Sequence, residues 1–306
     1  MQNTVRSSIR FSGTGLHSGK TVHMTIHPAS ADYGVWFRRT DILLGDAMLP
    51  ARWDVVEQTA LCTRIKNTAG VTVSTIEHVM AALAGTGVHN ALIELDGPEV
   101  PILDGSAAEF VRVILKAGVV QQNETVRAIE ILRPVSVTRG DATATLSPAD
   151  ELNIEFHIDF EDAAIGVQDK SLGMANGSFV RELCDSRTFC RKIDVDQMHA
   201  NGLALGGTLE NAVVVDGADI LSPGGLRHQD EAVRHKMLDA LGDLYLAGAP
   251  ILGKYTGIRA GHSLTNALLR ELFANPDAYR FVDCDRTIAA RLPGAGVHFG
   301  EIPAVA

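Results

Sequence analysis

The stretch RHQDEAVRHKMLDALGDLYLAG, from Arg227 to Gly248, constrains this chain more than any other. It reads as one amphipathic helix with an unusual polar side. At 3.6 residues per turn, His235, Asp239 and Asp243 each step round by roughly 40° and share one stripe. Val233, Met237, Leu241, Leu244 and Tyr245 fall on the far side, where a core-facing stripe belongs. A histidine followed one turn later by a carboxylate can offer two metal ligands to the same point. The same spacing also describes an ordinary i,i+4 surface pair, so the rest of the chain has to decide between them.

At 306 residues the chain is long for a single core, and two domains are expected. The polar break from Gln121 to Glu124 marks the boundary, giving residues 1–122 and 127–306. An apolar content of 46% with 21% charged residues is that of a soluble globular protein. The opening MQNTVRSSIRFSGTG lacks the apolar core of a secretory signal, and no apolar run approaches the roughly 18 residues of a membrane span. No stable membrane insertion is therefore expected. Cys62, Cys184, Cys190 and Cys284 are scattered without a Cys-x-x-Cys pair, which suggests reduced thiols and a cytoplasmic location. A net charge of −10 argues against nucleic acid as a partner, while leaving room for a local basic cluster on an anionic small substrate.

In the first half, Thr21 to His27 alternates as a half-buried strand, with Val22, Met24 and Ile26 inward and His23 and His27 outward. The preceding GTGLHSGKT invites a nucleotide-binding reading. A phosphate loop, however, needs glycine where Thr14 stands, and it opens a helix rather than a strand. The stretch is expected to be a hairpin turn. Residues 40–70, with Pro50, Trp53 and Cys62, look like an insertion or a small sheet extension. Ser74 or Thr75 should cap a helix running to Ala84, closed by Gly85 and Gly87. Glu77 and His78 fall in its first turn, where Ser74-x-x-Glu77 has the form of a capping box. A strand from Asn90 to Leu95, a loop to Asp104-Gly105-Ser106 and a helix to Lys116 complete this half.

In the second half, Ile129 to Val137 and Leu152 to Phe160 read as strands, with His157 on a solvated face. Asp185 to Cys190 reads as a polar turn. The segment from Asp194 to Asp216 is glycine-rich and apolar without a clear helical period, suited to tight sheet packing or to the wall of an apolar groove. After the histidine helix come a strand from Ile251 to Ile258, Gly261-His262-Ser263, and a helix to Phe273. This order echoes the first half: His78 to Asp104 and His235 to His262 span nearly the same length. The echo points to two like-folded halves packed face to face, with a site between them.

Facing halves would bring His78 to the His235/Asp239 pair. Two histidines and a carboxylate leave a fourth position open on zinc, the arrangement of a hydrolytic site. Glu77 could then take a proton from water, and His262 could act as a cation oriented by Asp243. Two other classes remain open on these residues: a nucleotide-binding module built on GTGLHSGKT, and a catalytically silent binder. The pairing of Glu77 with His262 speaks against the second, since a binder needs no acid and base.

STIEH, LDGSA, SRTF, RHKMLDALGDL and GHSLTN, in this order and spacing, resemble the UDP-3-O-acyl-N-acetylglucosamine deacetylases of lipid A synthesis, with GLHSG and LALGG extending the likeness along the chain. The resemblance implies an α+β fold of two similar domains, each a sheet on a helix layer. Each carries an insert (near residues 40–70 and 190–216), and the active site lies between them. It implies one catalytic Zn2+ on His78, His235 and Asp239, Glu77 as general base, and His262 as general acid held by Asp243. Thr188 would help polarise the acetyl carbonyl. Lys236 and Arg259 would meet the phosphates or sugar of an acylated UDP-amino-sugar, Phe189 and Phe160 would pack on that substrate, and Leu203 to Val215 would form the acyl channel. A monomer is expected. Ala142, where a lysine often follows the Gly-Asp turn, and Arg191, where an aromatic is common, depart from the family pattern.

Overall fold

Two five-stranded sheets of the same topology organise the chain. A computed structural model describes residues 1–57 and 61–304. In the first sheet the strands lie in the order Ile9–Thr14, Thr21–Pro28, Ala91–Leu95, Val35–Arg39, Met48–Pro50. In the second the order is Val135–Arg139, Ala142–Ser147, Lys254–Ile258, Asn153–Asp159, Val167–Gly173. In both, the last strand in sequence inserts at the centre, antiparallel to the second and parallel to the third. The helices are α1 (Glu77–Gly85), α2 (Ala108–Ala117), α3 (Ser178–Glu182), α4 (Lys192–Ala200), α5 (Glu231–Tyr245), α6 (His262–Ala274) and α7 (Arg286–Ala289). Each central strand is preceded by one long helix, α1 or α5, and followed by another, α2 or α6. The fold is thus α+β with two like-built halves, as the internal echo implies. Among the described residues no helix is long and apolar enough to cross a membrane.

Between the fourth strand and the helix, each half carries extra structure: a small sheet spanning residues 56–73 in the first, and Phe189–Arg191 paired with Val213–Asp216 and Asp219–Ile220 in the second. The Gly13–Thr21 stretch is a hairpin turn between two strands, with Gly15 N–H donating to the Lys20 carbonyl.

Several expectations need correction. The α5 helix starts at Glu231 and ends at Tyr245, shorter than the Arg227–Gly248 stretch. It is also not a surface helix with a wet polar face, because His235, Asp239 and Asp243 are buried as fully as Val233 and Met237. Nor is Ser74-x-x-Glu77 a capping box. The Ser74 hydroxyl donates to the Pro98 carbonyl, and Glu77 accepts the Thr63 N–H instead. The predicted strand from Ile129 to Val137 is broken around Pro134, which has no N–H for a ladder, into Arg127–Ile131 and Val135–Arg139. The strand from Ile251 to Ile258 divides at Gly253 into pieces that join different sheets; a Cβ there would lie 2.6 Å from the Ile131 side chain. Asp185, Ser186 and Arg187 are buried rather than a surface turn. Residues 192–200 form α4, which no apolar stripe announced because none of its residues is fully buried.

The halves meet where α1 crosses α5. Every residue of α1 is buried. At the crossing Gly242 of α5 lies against the backbone of Glu77, and a Cβ there would come within 2.1 Å of the Glu77 carbonyl oxygen. In an exposed helix Gly→Ala stabilises by about 1 kcal/mol. Here the sign reverses. Gly242→Ala is expected to destabilise by about 1–3 kcal/mol, as overpacking does, and to disturb the residues that the two helices present to each other. Thermal denaturation checks this; an unchanged or higher Tm would mean that the helices can slide apart without cost.

Candidate active site

The crossing brings together residues far apart in sequence. His78 from α1 and His235 from α5 stand edge to face, with ring centroids 5.0 Å apart. Asp239, one turn after His235, puts its Oδ1 at 3.3 Å from His235 Nε2 and 3.7 Å from His78 Nε2. One ligand atom from each of the three lies within 4.8 Å of the others, and all three residues are buried.

The donors fit a zinc ion by their own chemistry. His235 donates its Nδ1–H to the Ser186 carbonyl at 3.0 Å, which leaves a lone pair on Nε2, the nitrogen facing the other two. Asp239 Oδ1 is buried with no hydrogen-bond partner among the described residues, a costly state for a carboxylate oxygen unless a cation meets it. Burial, reinforced by His235, drives His78 down to about 3. Burial likewise lowers His235, against Asp239 and Ser186. For Asp239 burial acts in the opposite direction, but His235, Lys236, His262 and His78 outweigh it and hold the carboxyl below its ordinary range. Neutral imidazoles beside an ionised carboxylate are the protonation states that metal binding requires.

Next to these donors lies an acid–base pair. Glu77 accepts the Thr63 N–H on Oε2 at 3.0 Å, and its Oε1 stands 3.8 Å from His262 Nε2. His262 opens α6, and its Nδ1 bonds to Asp243 Oδ2 at 2.8 Å. The Thr63 hydroxyl donates to the other oxygen of Asp243 at 2.5 Å. Burial raises Glu77 to about 7, with His262 acting against it and the Asp239 and Asp243 charges adding to it. Burial works against a charged His262, but the carboxylates of Asp243, Glu77 and Asp239 prevail and raise it to about 9. Near neutral pH the site therefore holds a carboxyl ready to gain or lose a proton opposite a protonated imidazole.

A cavity of about 920 Å³ opens over these groups. His235, Asp239, His262, Thr188, Phe160, Phe189, Lys236 and Arg259 all line it. Phe160 and Phe189 meet edge to face at 5.4 Å. Thr188 is fixed by its backbone: its N–H donates to the Gly105 carbonyl, and its own carbonyl accepts from Val213. Gly105 has φ +83 and no room for a Cβ, which would sit 1.9 Å from the Asn211 carbonyl oxygen. This close approach accounts for the glycine of LDGSA. Lys236 donates to Asp239 Oδ2 at 3.0 Å, and Arg259 pairs with Asp159, so each of these two cations is already engaged by a carboxylate. Away from the donors the wall turns apolar, with Val195, Met198, Leu203, Leu209, Ala212 and Val214. Part of that wall comes from α4, just ahead of the Leu203 to Val215 stretch.

The sequence alone does not single out three residues that the structure brings to the site. Thr63 serves both Glu77 and Asp243 from a segment without pattern. Glu99 is buried beneath the hairpin turn at 2% exposure. His17, inside that turn, lines the cavity with both ring nitrogens buried and without a partner among the described residues. Cys62 is buried, and its thiol is pushed up to about 12 by burial and then by the Glu77 charge.

Comparison with known proteins covers nearly the whole chain. The family model described as UDP-3-O-acyl N-acetylglycosamine deacetylase matches residues 2–274. A UDP-3-O-acyl-N-acetylglucosamine deacetylase of Phenylobacterium zucineum is 50% identical over 279 residues, covering 91% of this chain and 95% of that protein. Proteins of the same name from Shewanella frigidimarina and Pasteurella multocida are 42% and 45% identical, covering 97% and 93% of this chain and 99% and 93% of their own lengths. With a whole-length match of this kind and the buried constellation between its halves, the chain belongs to the UDP-3-O-acyl N-acetylglycosamine deacetylase family.

Proposed function

We propose that the chain hydrolyses the N-acetyl amide of a UDP-3-O-acyl-N-acetylglucosamine, releasing acetate and the free amine in lipid A biosynthesis, with one Zn2+ held by His78, His235 and Asp239. The observation that carries this reading is the orphaned Asp239 Oδ1 facing the Nε2 atoms of His78 and His235, with Glu77 and His262 set 3.8 Å apart beside it. When bound, zinc supplies Lewis-acid polarisation of a carbonyl and acidifies water.

The chain's own residues do the rest. Glu77, kept near neutrality by burial, accepts the proton of the attacking water through Oε1, while Oε2 stays anchored to Thr63. The oxyanion that develops on the acetyl oxygen is met by the Thr188 hydroxyl and the His262 cation. His262 then passes its Nε2 proton to the departing nitrogen, and Asp243 stabilises the ring as a cation until that moment. The new C–O bond yields acetate, the broken C–N bond yields the amine, and the proton held by Glu77 restores His262. Lys236 and Arg259, which line the cavity with Phe160 and Phe189, meet the sugar or phosphates on this reading, the two phenylalanines pack on the substrate, and the apolar wall takes the acyl chain.

The test is direct. Purified protein should carry about one zinc per chain and release acetate from a UDP-3-O-acyl-N-acetylglucosamine. Chelation should abolish turnover, and added Zn2+ should restore it. A metal-free preparation that still releases acetate at full rate would overturn the zinc assignment.

A further inference from the structure

We propose that Glu99 is a positioning residue for this reaction and that it acts through His17; the inference rests on the deacetylase reading above. Glu99 Oε1 accepts the His17 backbone N–H at 2.8 Å and the Thr75 hydroxyl at 2.9 Å, and Oε2 accepts the Ser18 N–H at 2.8 Å. One buried carboxylate thus joins the hairpin turn to the start of α1. Thr75 has φ +57, the left-handed region that β-branched residues avoid, and it stands two residues before Glu77. Its bond to Glu99 holds that turn in place.

The same turn grips the second half. Gly206 N–H donates to the Leu16 carbonyl at 2.9 Å, and Leu205 N–H donates to the His17 carbonyl at 3.3 Å. There is no slack at this junction: a Cβ on Gly206 would lie 2.3 Å from the Gly15 carbonyl oxygen, and one on Gly15 would lie 2.4 Å from Glu99 Oε2. Held on both sides, the turn aims the His17 ring into the cavity. A neutral imidazole there offers one donor and one acceptor to a bound molecule. These contacts form on binding and persist through the reaction, so their loss should raise KM more than it lowers kcat.

The experiment compares wild type, Glu99→Gln, His17→Ala and the double variant by kcat, KM, zinc per chain and Tm. In Glu99→Gln an amide NH2 replaces one acceptor and faces a backbone N–H, donor against donor. Each single variant should raise KM roughly tenfold, as the loss of a charge-assisted or buried hydrogen bond does, with kcat within about threefold and zinc content unchanged. The double variant should be no worse than the poorer single, because both changes remove the same contact. Glu99→Asp, which keeps the charge on a shorter arm, should recover part of the loss. Multiplied KM effects in the double variant would overturn the proposal. So would a Glu99→Gln protein with a lower Tm but wild-type kcat and KM, since Glu99 would then be structural only. A wild-type protein that releases no acetate overturns the deacetylase reading and this inference together; an active wild type with an indifferent Glu99→Gln overturns this inference alone.

Discussion

Glu77→Gln is expected to keep its zinc and to lose about 10²–10⁴ in kcat/KM, the usual contribution of a positioned general base. The substitution isolates chemistry from structure, because the amide oxygen can still accept the Thr63 N–H that Glu77 Oε2 accepts now. Glu77→Ala is a less clean probe: it leaves that buried N–H unpaired, at about 1–3 kcal/mol, so it mixes stability with catalysis. His78→Ala should behave differently from both. It removes one of three donors and leaves Asp239 Oδ1 facing a single imidazole. Zinc and activity should be lost together in that variant. The informative contrast is metal content: retained in Glu77→Gln, lost in His78→Ala. Near-wild-type turnover by Glu77→Gln would sink the general-base role and send the search for a base elsewhere in the cavity.

What was legible in the sequence follows from how far each interaction reaches along the chain. The His235/Asp239/Asp243 stripe could be read from helical period alone, because 3.6 residues per turn sets side-chain direction without reference to the rest of the fold. The strand alternation around Met24 and around Phe156 is legible for the same reason, and the matched order of elements in the two halves announced the repeated topology. Choices made by tertiary packing were not. Ser74 and Glu77 satisfy the local form of a capping box, yet each finds another partner, the Pro98 carbonyl and the Thr63 N–H, brought close by the folding of the first half. Thr63 and Glu99 enter the site through side-chain bonds to groups distant in sequence, Thr63 to Asp243 and Glu99 to the His17 and Ser18 N–H groups, and a single sequence does not show which distant partner a hydroxyl or a carboxylate meets. α4 went unread because it lies partly exposed along the cavity wall rather than burying a stripe.

Asp243→Asn is expected to lower kcat by about 10²-fold and to move the alkaline limb of the pH–rate profile toward neutrality. The geometry should survive: an asparagine oxygen can accept from His262 Nδ1, and the Thr63 hydroxyl can turn to accept from the new amide. What disappears is a negative charge. On the proposed mechanism, activity in the wild type requires Glu77 deprotonated and His262 protonated. The rate should therefore rise as pH passes the Glu77 value, about 7, and fall as it passes the His262 value, about 9. A divalent cation at the neighbouring donors repels protons from both groups and shifts both limbs to lower pH without removing either. His262 stands high because Asp243 leads the carboxylates that outweigh its burial. Without that charge the desolvation of the buried ring weighs more, the imidazolium gives up its proton sooner, and the alkaline limb descends by roughly one to two pH units. The acid limb should respond in the same direction but more weakly, since Asp243 is a smaller influence on Glu77 than burial is. The profile would then narrow from its alkaline side, a signature that loss of stability alone does not produce. An Asp243→Asn enzyme with reduced kcat but an unmoved alkaline limb would mean that Asp243 only orients the ring, and that the proton leaving for the amine comes from another group.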